Sequence, residues 1–314
     1  MIPLGQHPAP AHVIAHVSDT HLLAGGRLLF GSVETEKHLA QAMEQLENLG
    51  TKPEAIVFTG DLADLGEPDA YERLKAIVEP AAERLGATIV WVMGNHDERP
   101  EYSSLLFGED PSAEPQDRVY DVNGLRIISL DTTVPGFHHG DLTDAQLDWL
   151  AAELATPAPH GTLLALHHPP VPTPLLWAME MLELHNQDRL AAVLAGTDVR
   201  GILGGHLHYS SHSTFAGIPV SVAAATCYTL GLTARDRLLS GSNANQSINL
   251  VHVYENSVVH SVVPLGDEVE VSATSTEFIA TIEAMTFDER LAMFSKKNSP
   301  FNRGEIDPAT YSSY

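Results

Sequence analysis

Asp19, His21, Asp61, Asn95, His167, His206 and His208 are the side chains through which this sequence can do chemistry, and each follows a hydrophobic run. Residues 13–17 lead into Ser18-Asp19-Thr20-His21, residues 57–59 into Gly60-Asp61-Leu62-Ala63-Asp64, and residues 88–93 into Gly94-Asn95-His96-Asp97. Residues 162–166 end in His167-His168-Pro169-Pro170, and residues 200–203 in Gly204-Gly205-His206-Leu207-His208. Carboxylate, amide and imidazole without thiolate suit Mn, Fe, Zn, Ni or Co, and argue against an iron–sulfur or Cys-type zinc site. In extended chain Asp19 and His21 point the same way, as do His206 and His208. A set this large can hold two ions with one Asp bridging them. Two divalent ions against the carboxylates of Asp19 and Asp61 keep a net positive charge, which is what an anionic phosphodiester needs.

Stepping outward, each ligand needs a strand to deliver it. Residues 57–61 read as a buried strand that carries Asp61 to the C-terminal edge of a sheet, where ligands of open α/β sheets collect. Between the first and second strands, Leu39, Ala42, Met43, Leu46 and Leu49 recur at helical spacing. Between the second and third, Tyr71, Leu74, Ile77, Val78, Ala81 and Leu85 do the same, up to Gly86. Two β-α-β units in succession predict parallel strands. Asn123-Gly124, between residues 118–122 and 125–130, is a strong two-residue hairpin signal. A helix is expected over 143–154 with Thr143 as N-cap. Strand, helix and strand follow at 162–166, 187–194 and 200–203. Residues 211–215 with 219–222, and 248–254 with 258–264, read as antiparallel pairs. The economical assembly is an α/β protein with two sheets sharing one core and helices outside. Residues 1–11 read as a flexible leader, 12–271 as the catalytic domain and 272–314 as a helical tail, frayed from Asn298 on. Ser240 to Asn245 reads as a mobile loop.

Composition narrows the partners. With 17 basic residues against 41 acidic ones, the net charge of −24 repels polyphosphate backbones, so nucleic acid is not an expected partner. The single Cys227 cannot form an intrachain disulfide and reads as an inert core thiol. No stretch approaches the ~20 apolar residues of a membrane span, and no basic leader is evident. The expected address is cytoplasmic.

Taken together and in order, Asp19-Thr20-His21, Gly60-Asp61-Leu62-Ala63-Asp64, Gly94-Asn95-His96-Asp97, His167-His168 and Gly205-His206-Leu207-His208 resemble the calcineurin-like metallophosphoesterases. Neighbouring residues such as Gly66-Glu67, Pro169-Pro170 and Tyr209 make the chain most similar to the bacterial class III 3′,5′-cyclic nucleotide phosphodiesterases. That resemblance implies a four-layer α/β/β/α sandwich of two mixed sheets. It implies one divalent ion on Asp19, His21, Asp61 and His208, a second on Asp61, Asn95, His167 and His206, and Mn, Fe or Zn as the metals. Further, it implies hydrolysis of cyclic AMP to 5′-AMP by a metal-bridging hydroxide, with His21, Asp61, Asn95, His96 and His208 around the substrate. His96 would assist the leaving oxygen, oriented by Asp64, while Asn95 holds a phosphoryl oxygen.

Alternative substrates are a 2′,3′-cyclic nucleotide, a nucleotide-sugar pyrophosphate or a phosphomonoester; a metal-stabilised interaction scaffold is the rival of another class. Members of the family are often dimers, and a homodimer is compatible with this sequence. His168 reads as structural packing. His138, in Gly136-Phe137-His138-His139-Gly140, is in a loop that could overhang the rim. Phe278, Ile282, Leu291 and Phe294 read as packing against the core or a second subunit.

Overall fold

Alternation along the second strand explains the architecture. In β2 (Ala55–Thr59) every residue is buried. Ile56 and Phe58 join an apolar cluster with helix side chains, whereas Ala55 and Val57 join a different cluster shared by two sheets. A strand covered on both faces reads as an unbroken apolar run, which is why its sequence shows no polar alternation.

The computed structural model describes residues 5–233, 236–266, 271 and 278–305, so 1–4 of the expected leader and 272–277 and 306–314 of the expected tail lie outside the described residues. The first sheet has the order β13-β12-β1-β2-β3. Here β1 (His12–Val17), β2 and β3 (Thr88–Val92) are parallel, while β12 (Ser247–Val253) and β13 (Val258–Pro264) are antiparallel. In the second sheet the order is β4-β5-β6-β7-β9-β8. Its parallel centre is β5 (Leu125–Leu130), β6 (Thr162–Leu166), β7 (Val199–Gly204) and β9 (Ile218–Val222). Edges β4 (Arg118–Val122) and β8 (Ser211–Phe215) run antiparallel.

Ile14, Val57, Val90 and Val92 of one sheet pack on Ile127, Leu163, Ala165 and Leu203 of the other. Helices α1 (Thr35–Glu47) and α2 (Pro68–Leu85) bury Leu39, Met43, Leu46, Tyr71, Leu74 and Val78 against the outer face of the first sheet. On the second, α4 (Asp144–Leu154) and α5 (Gln187–Leu194) bury Leu147, Leu150, Leu190 and Leu194. The result is the four-layer α/β/β/α sandwich of two mixed sheets. Thr143 caps α4 in a full capping box with Gln146, and Asn123 and Gly124 turn the β4–β5 hairpin with φ of 53° and 91°.

Two stretches differ from expectation. Helix α3 (Arg99–Phe107) gives no amphipathic signal in the sequence, because it buries only Tyr102 and Ser103. The stretch read as a mobile loop contributes β11 (Gly241–Ser242), which pairs with β10 (Thr229–Leu230) in a small ribbon. Contacts divide the chain into two compact units, Pro10–Gly266 and Met1–Ala9 with Asp267–Tyr314. In the second unit, α6 (Phe278–Ala284) and α7 (Phe287–Arg290) precede a π-helical turn, Leu291–Ser295. Of the residues expected to fray, 299–305 are described: Ser299 donates to the Met293 carbonyl and Asn302 to the Phe294 carbonyl. Among the described residues no helix is long and apolar enough to cross a membrane.

Candidate metal centre

Beyond the ends of β1 and β2 the two loops continue side by side. Asp19 N–H donates to Gly60 O, His21 N–H to Asp61 O and Leu22 N–H to Leu62 O, at 3.1, 2.9 and 3.0 Å. The geometry that brings ligands together is not extended chain, as the two-apart spacing suggested. Asp19, His21, Asp61, His206 and His208 all have left-handed backbone, with φ of 52°, 45°, 51°, 68° and 56°. Turning at alternate residues tips both members of each pair inward from loops rather than from a strand face. Such conformations cost about 1–3 kcal/mol each for residues with a Cβ and concentrate at functional sites.

Close approach makes this turn chemistry depend on two glycines. At Gly94 a Cβ would come within 2.0 Å of the Asp61 nitrogen, and at Gly205 within 2.0 Å of Ser18 Oγ. Asp97, which the sequence reading left without a role, is the hub that locks the loops. Its carboxylate accepts from the N–H groups of Leu62, Ala63 and Gly94 and from the Tyr71 hydroxyl, at 3.1, 3.0, 2.9 and 2.9 Å. A second buried chain holds Asp19: His16 Nε2 donates to Thr59 Oγ1 (2.9 Å), Thr59 to Ser18 Oγ (2.8 Å), and Ser18 to Asp19 Oδ2 (2.5 Å). The signals available were the acid next to Asn95-His96 and the two hydroxyls flanking the ligand loops.

Asp19, His21, Asp61 and His208 bring one ligand atom each to within 4.8 Å of one another, all buried. His21 Nε2 and His167 Nε2 both lie 3.3 Å from Asp61 Oδ2, which puts Asp61 between them. Asn95 Oδ1 is 3.0 Å from His167 Nε2. The structure thus gathers Asp19, His21, Asp61, Asn95, His167, His206 and His208 at one edge of the two sheets.

Each imidazole spends one nitrogen on an acceptor at the periphery. His21 Nδ1 donates to Asp64 Oδ1 (2.8 Å), His167 Nδ1 to Thr59 O (2.7 Å), His208 Nδ1 to Tyr228 O (2.9 Å) and His206 Nε2 to Leu182 O (3.0 Å). The other nitrogen of each is left as a lone-pair donor, the arrangement found around metal-bound histidines. With their outer nitrogens protonated, His21 Nε2 and His208 Nε2 present lone pairs to each other at 3.2 Å and to carboxylate oxygens beyond. Only positive charge relieves that opposition, so this donor set fits divalent cations. Where a proton rather than an ion supplies that positive charge, the same carboxylates draw it to these rings. Burial opposes charge on His21, yet hydrogen bonds and charge from Asp61 and Asp64 hold it at about 10. His167, likewise buried, is held at about 9 by Asp61. Burial would also raise Asp61, but His167 and His21 keep it well below the usual carboxylate range. His206, buried and beside His167, is pushed down to about 3.

At the mouth, His96 N–H donates to Asp61 Oδ1 (2.9 Å) and its ring Nδ1 donates to the backbone carbonyl of Asp64 (2.8 Å). Asp64 therefore holds His96 through its backbone carbonyl, with its carboxylate farther off. The Asp64 carboxylate is 3.6 Å from His96 Nδ1 and bonds His21 instead. His138 does overhang the rim, with Nδ1 2.8 Å from the Asn95 amide nitrogen and its ring 5.0 Å from His96. His168 is fully buried between Thr132 Oγ1 and the His138 carbonyl, in keeping with a packing role.

Residues 12–210 match the family model of the calcineurin-like phosphoesterases. The chain is 58% identical over 261 residues, 83% of its own length and 82% of the relative's, to a cAMP/cGMP dual specificity phosphodiesterase of Mycobacterium tuberculosis. It is 33% identical over 215 residues, covering 68% of this chain and 76% of the relative, to the 3′,5′-cyclic adenosine monophosphate phosphodiesterase CpdA of Escherichia coli. In fold it is similar to a dimetal phosphatase from Danio rerio, at 16% identity and a TM-score of 0.59 over 82% of this chain and 96% of that one. With the matched segment spanning every candidate ligand and the strands that lead into them, the chain belongs to the calcineurin-like phosphoesterase family.

Proposed function

We propose that this chain hydrolyses 3′,5′-cyclic nucleotides, taking cyclic AMP to 5′-AMP. The observation that carries the reading is the ring of imidazoles whose outer nitrogens are all engaged and whose inner nitrogens face Asp19 and Asp61. The names of the relatives support the choice of substrate. Asp19, His21, Asp61 and His208 would hold one divalent ion, and Asp61, Asn95, His167 and His206 the other, with Mn, Fe or Zn as the metals. Such ions supply Lewis-acid polarisation of the phosphoryl oxygens and an acidified water.

The chain's own residues account for the remainder. Hydrolysis adds one water across the bond between phosphorus and the ribose 3′ oxygen, so that oxygen must gain a proton. His96 has Nδ1 committed to the Asp64 carbonyl, which leaves Nε2 to face the departing oxygen, and its side chain is 31% exposed at the mouth. Asn95, between His167 and His138, can present its amide to a phosphoryl oxygen. His21, Asp61 and His208 contact substrate from the floor of the same cluster. On this reading residues 12–271 are the catalytic domain, residues 272–314 an appendage, the working species a cytoplasmic homodimer, and nucleic acid no substrate.

The test is a panel of cyclic AMP, cyclic GMP, 2′,3′-cyclic AMP, a nucleotide sugar and p-nitrophenyl phosphate, assayed on Mn-reconstituted protein with products separated by chromatography. The expected result is 5′-AMP from cyclic AMP, lost on chelation. Turnover of the monoester or the nucleotide sugar with none of the 3′,5′-cyclic diesters would overturn the proposal.

A further inference from the structure

The loop after β1 carries an aromatic side chain that folding does not account for. Leu29 and Val33 face each other across an isolated antiparallel bridge, exchanging backbone hydrogen bonds of 3.0 Å in both directions. Both are buried with Leu23, Ala225 and Cys227 in a small apolar cluster, so the base of the turn is fixed. At its tip Phe30 has a φ of +52° and is 73% exposed. A left-handed turn position favours Gly, Asn or Asp, and a bulky residue there carries steric cost. An exposed ring gains no burial in return. Neither backbone nor core explains Phe30.

Its surroundings do. The Phe30 ring meets Tyr228 edge-to-face with centroids 5.2 Å apart, and Tyr228 lies 4.4 Å from the ring of His208 and 6.3 Å from that of His21. Tyr228 is itself fixed: its carbonyl accepts from His208 Nδ1, and Gly241 of β11 packs so closely on its ring that a Cβ there would stand 3.0 Å away. An aromatic wall therefore runs from the candidate metal ligands outward and ends in an open face.

We propose that Phe30, backed by Tyr228, is the purine subsite, stacking the base of the cyclic nucleotide while its phosphate occupies the metal centre. This rests on the cyclic-nucleotide reading above. The base is the only aromatic part of that substrate, and it is separated from the phosphate by the ribose, as the Phe30 face is separated from His208 by Tyr228. Stacking needs a π-face rather than a particular hydrogen-bonding edge. The subsite therefore accepts adenine and guanine alike.

Wild type, Phe30→Asn and Phe30→Trp would be compared on cyclic AMP, cyclic GMP and base-free ribose 3′,5′-cyclic phosphate, with mass measured by light scattering. Asn tolerates the left-handed backbone, so Phe30→Asn keeps the turn and removes the ring. The expected result is a fall of about tenfold in kcat/KM for each purine substrate relative to the base-free one, a loss in KM rather than kcat, with Phe30→Trp restoring the ratio. An unmoved ratio overturns the subsite while leaving cyclic-nucleotide hydrolysis standing. A change in mass with the ratio unmoved assigns Phe30 to contact with a second copy and also overturns it. Wild type that turns over no cyclic nucleotide removes both readings.

Discussion

Replacing Asp64 by Asn separates two jobs that one acid could perform. Its carboxylate accepts from His21 Nδ1 at 2.8 Å, while its backbone carbonyl accepts from His96 Nδ1 at 2.8 Å. Asp64→Asn keeps the backbone carbonyl and the side-chain size, and removes the charge that His21 feels at hydrogen-bond distance and His96 Nδ1 at 3.6 Å. A hydrogen bond with a charged partner is worth about 1.5–3 kcal/mol, and losing the outer partner of a metal-bound histidine lowers metal affinity about 10–100-fold. The two scales agree at 1.4 kcal/mol per factor of ten. Because the Asp64 side chain is 18% exposed, water takes up part of the loss, and the lower end, about tenfold, is expected. The assay titrates Mn into chelated protein and follows initial rates on cyclic AMP and bis-p-nitrophenyl phosphate. Asp64→Asn should shift the Mn midpoint about tenfold, with equal losses on both substrates that saturating Mn recovers. His96→Ala should leave the Mn midpoint near wild type yet slow cyclic AMP by about 100-fold or more. The p-nitrophenyl diester should suffer far less, because nitrophenolate departs without a proton. If Asp64→Asn reproduced that leaving-group split with an unshifted Mn midpoint, the carboxylate would be acting through His96 and the assignment to His21 would be refuted.

Asp61→Ala removes the carboxylate oxygen that both His21 and His167 face; turnover should vanish and bound metal, measured by elemental analysis, should fall at both sites while the thermal melt persists. Near-normal turnover with two ions bound would end the bridging assignment. Tyr71→Phe leaves Asp97 without one of its four donors and Glu98 N–H without its acceptor, and should lower stability in urea melts by about 2 kcal/mol; a variant as stable as wild type would show that the hub does not depend on the hydroxyl. Asp117 is pushed up to about 6 chiefly by burial, with the charge of Asp131 adding, against the Asp131 N–H and Gln146 that lower it. Between about pH 4 and 6 the folded state therefore keeps a proton that the unfolded chain releases, so stability falls as pH rises through that window and is flat above it. Asp117→Asn should match wild type at pH 4 and exceed it at pH 7.5 by on the order of 2 kcal/mol; equal stability at pH 7.5 would contradict the argument.

The ligands were legible because each strand's burial and each ligand's chemistry are properties of residue type. Ala55, Val57, Ile56 and Phe58 are apolar because β2 is covered on both faces, and Asp, Asn and His are what a hard or borderline cation accepts. The loop geometry was not legible, since nothing in Asp19, His21 or Asp61 as residue types announces a left-handed φ. Glycines such as Gly60, Gly94 and Gly205 stand where the backbones approach closely, and the partners they meet are distant in sequence. How Asp64 divides its contacts was hidden for the same reason: a carboxylate three residues from the bridge is near both His21 and His96, and which one it bonds is decided by the turn between them.

That turn also fixes where the site is vulnerable. Five non-glycine residues in left-handed backbone, at about 1–3 kcal/mol each, cannot hold themselves in place. The offset comes from groups outside the ligand side chains: the four donors on Asp97, the Ser18–Thr59–His16 chain behind Asp19, and the backbone N–H groups of His96 and His206 on Asp61 and Asp19. A sequence that kept every candidate ligand but lost Asp97 or Gly94 would still match the ligand pattern. It would no longer hold the ligands where a pair of cations could use them.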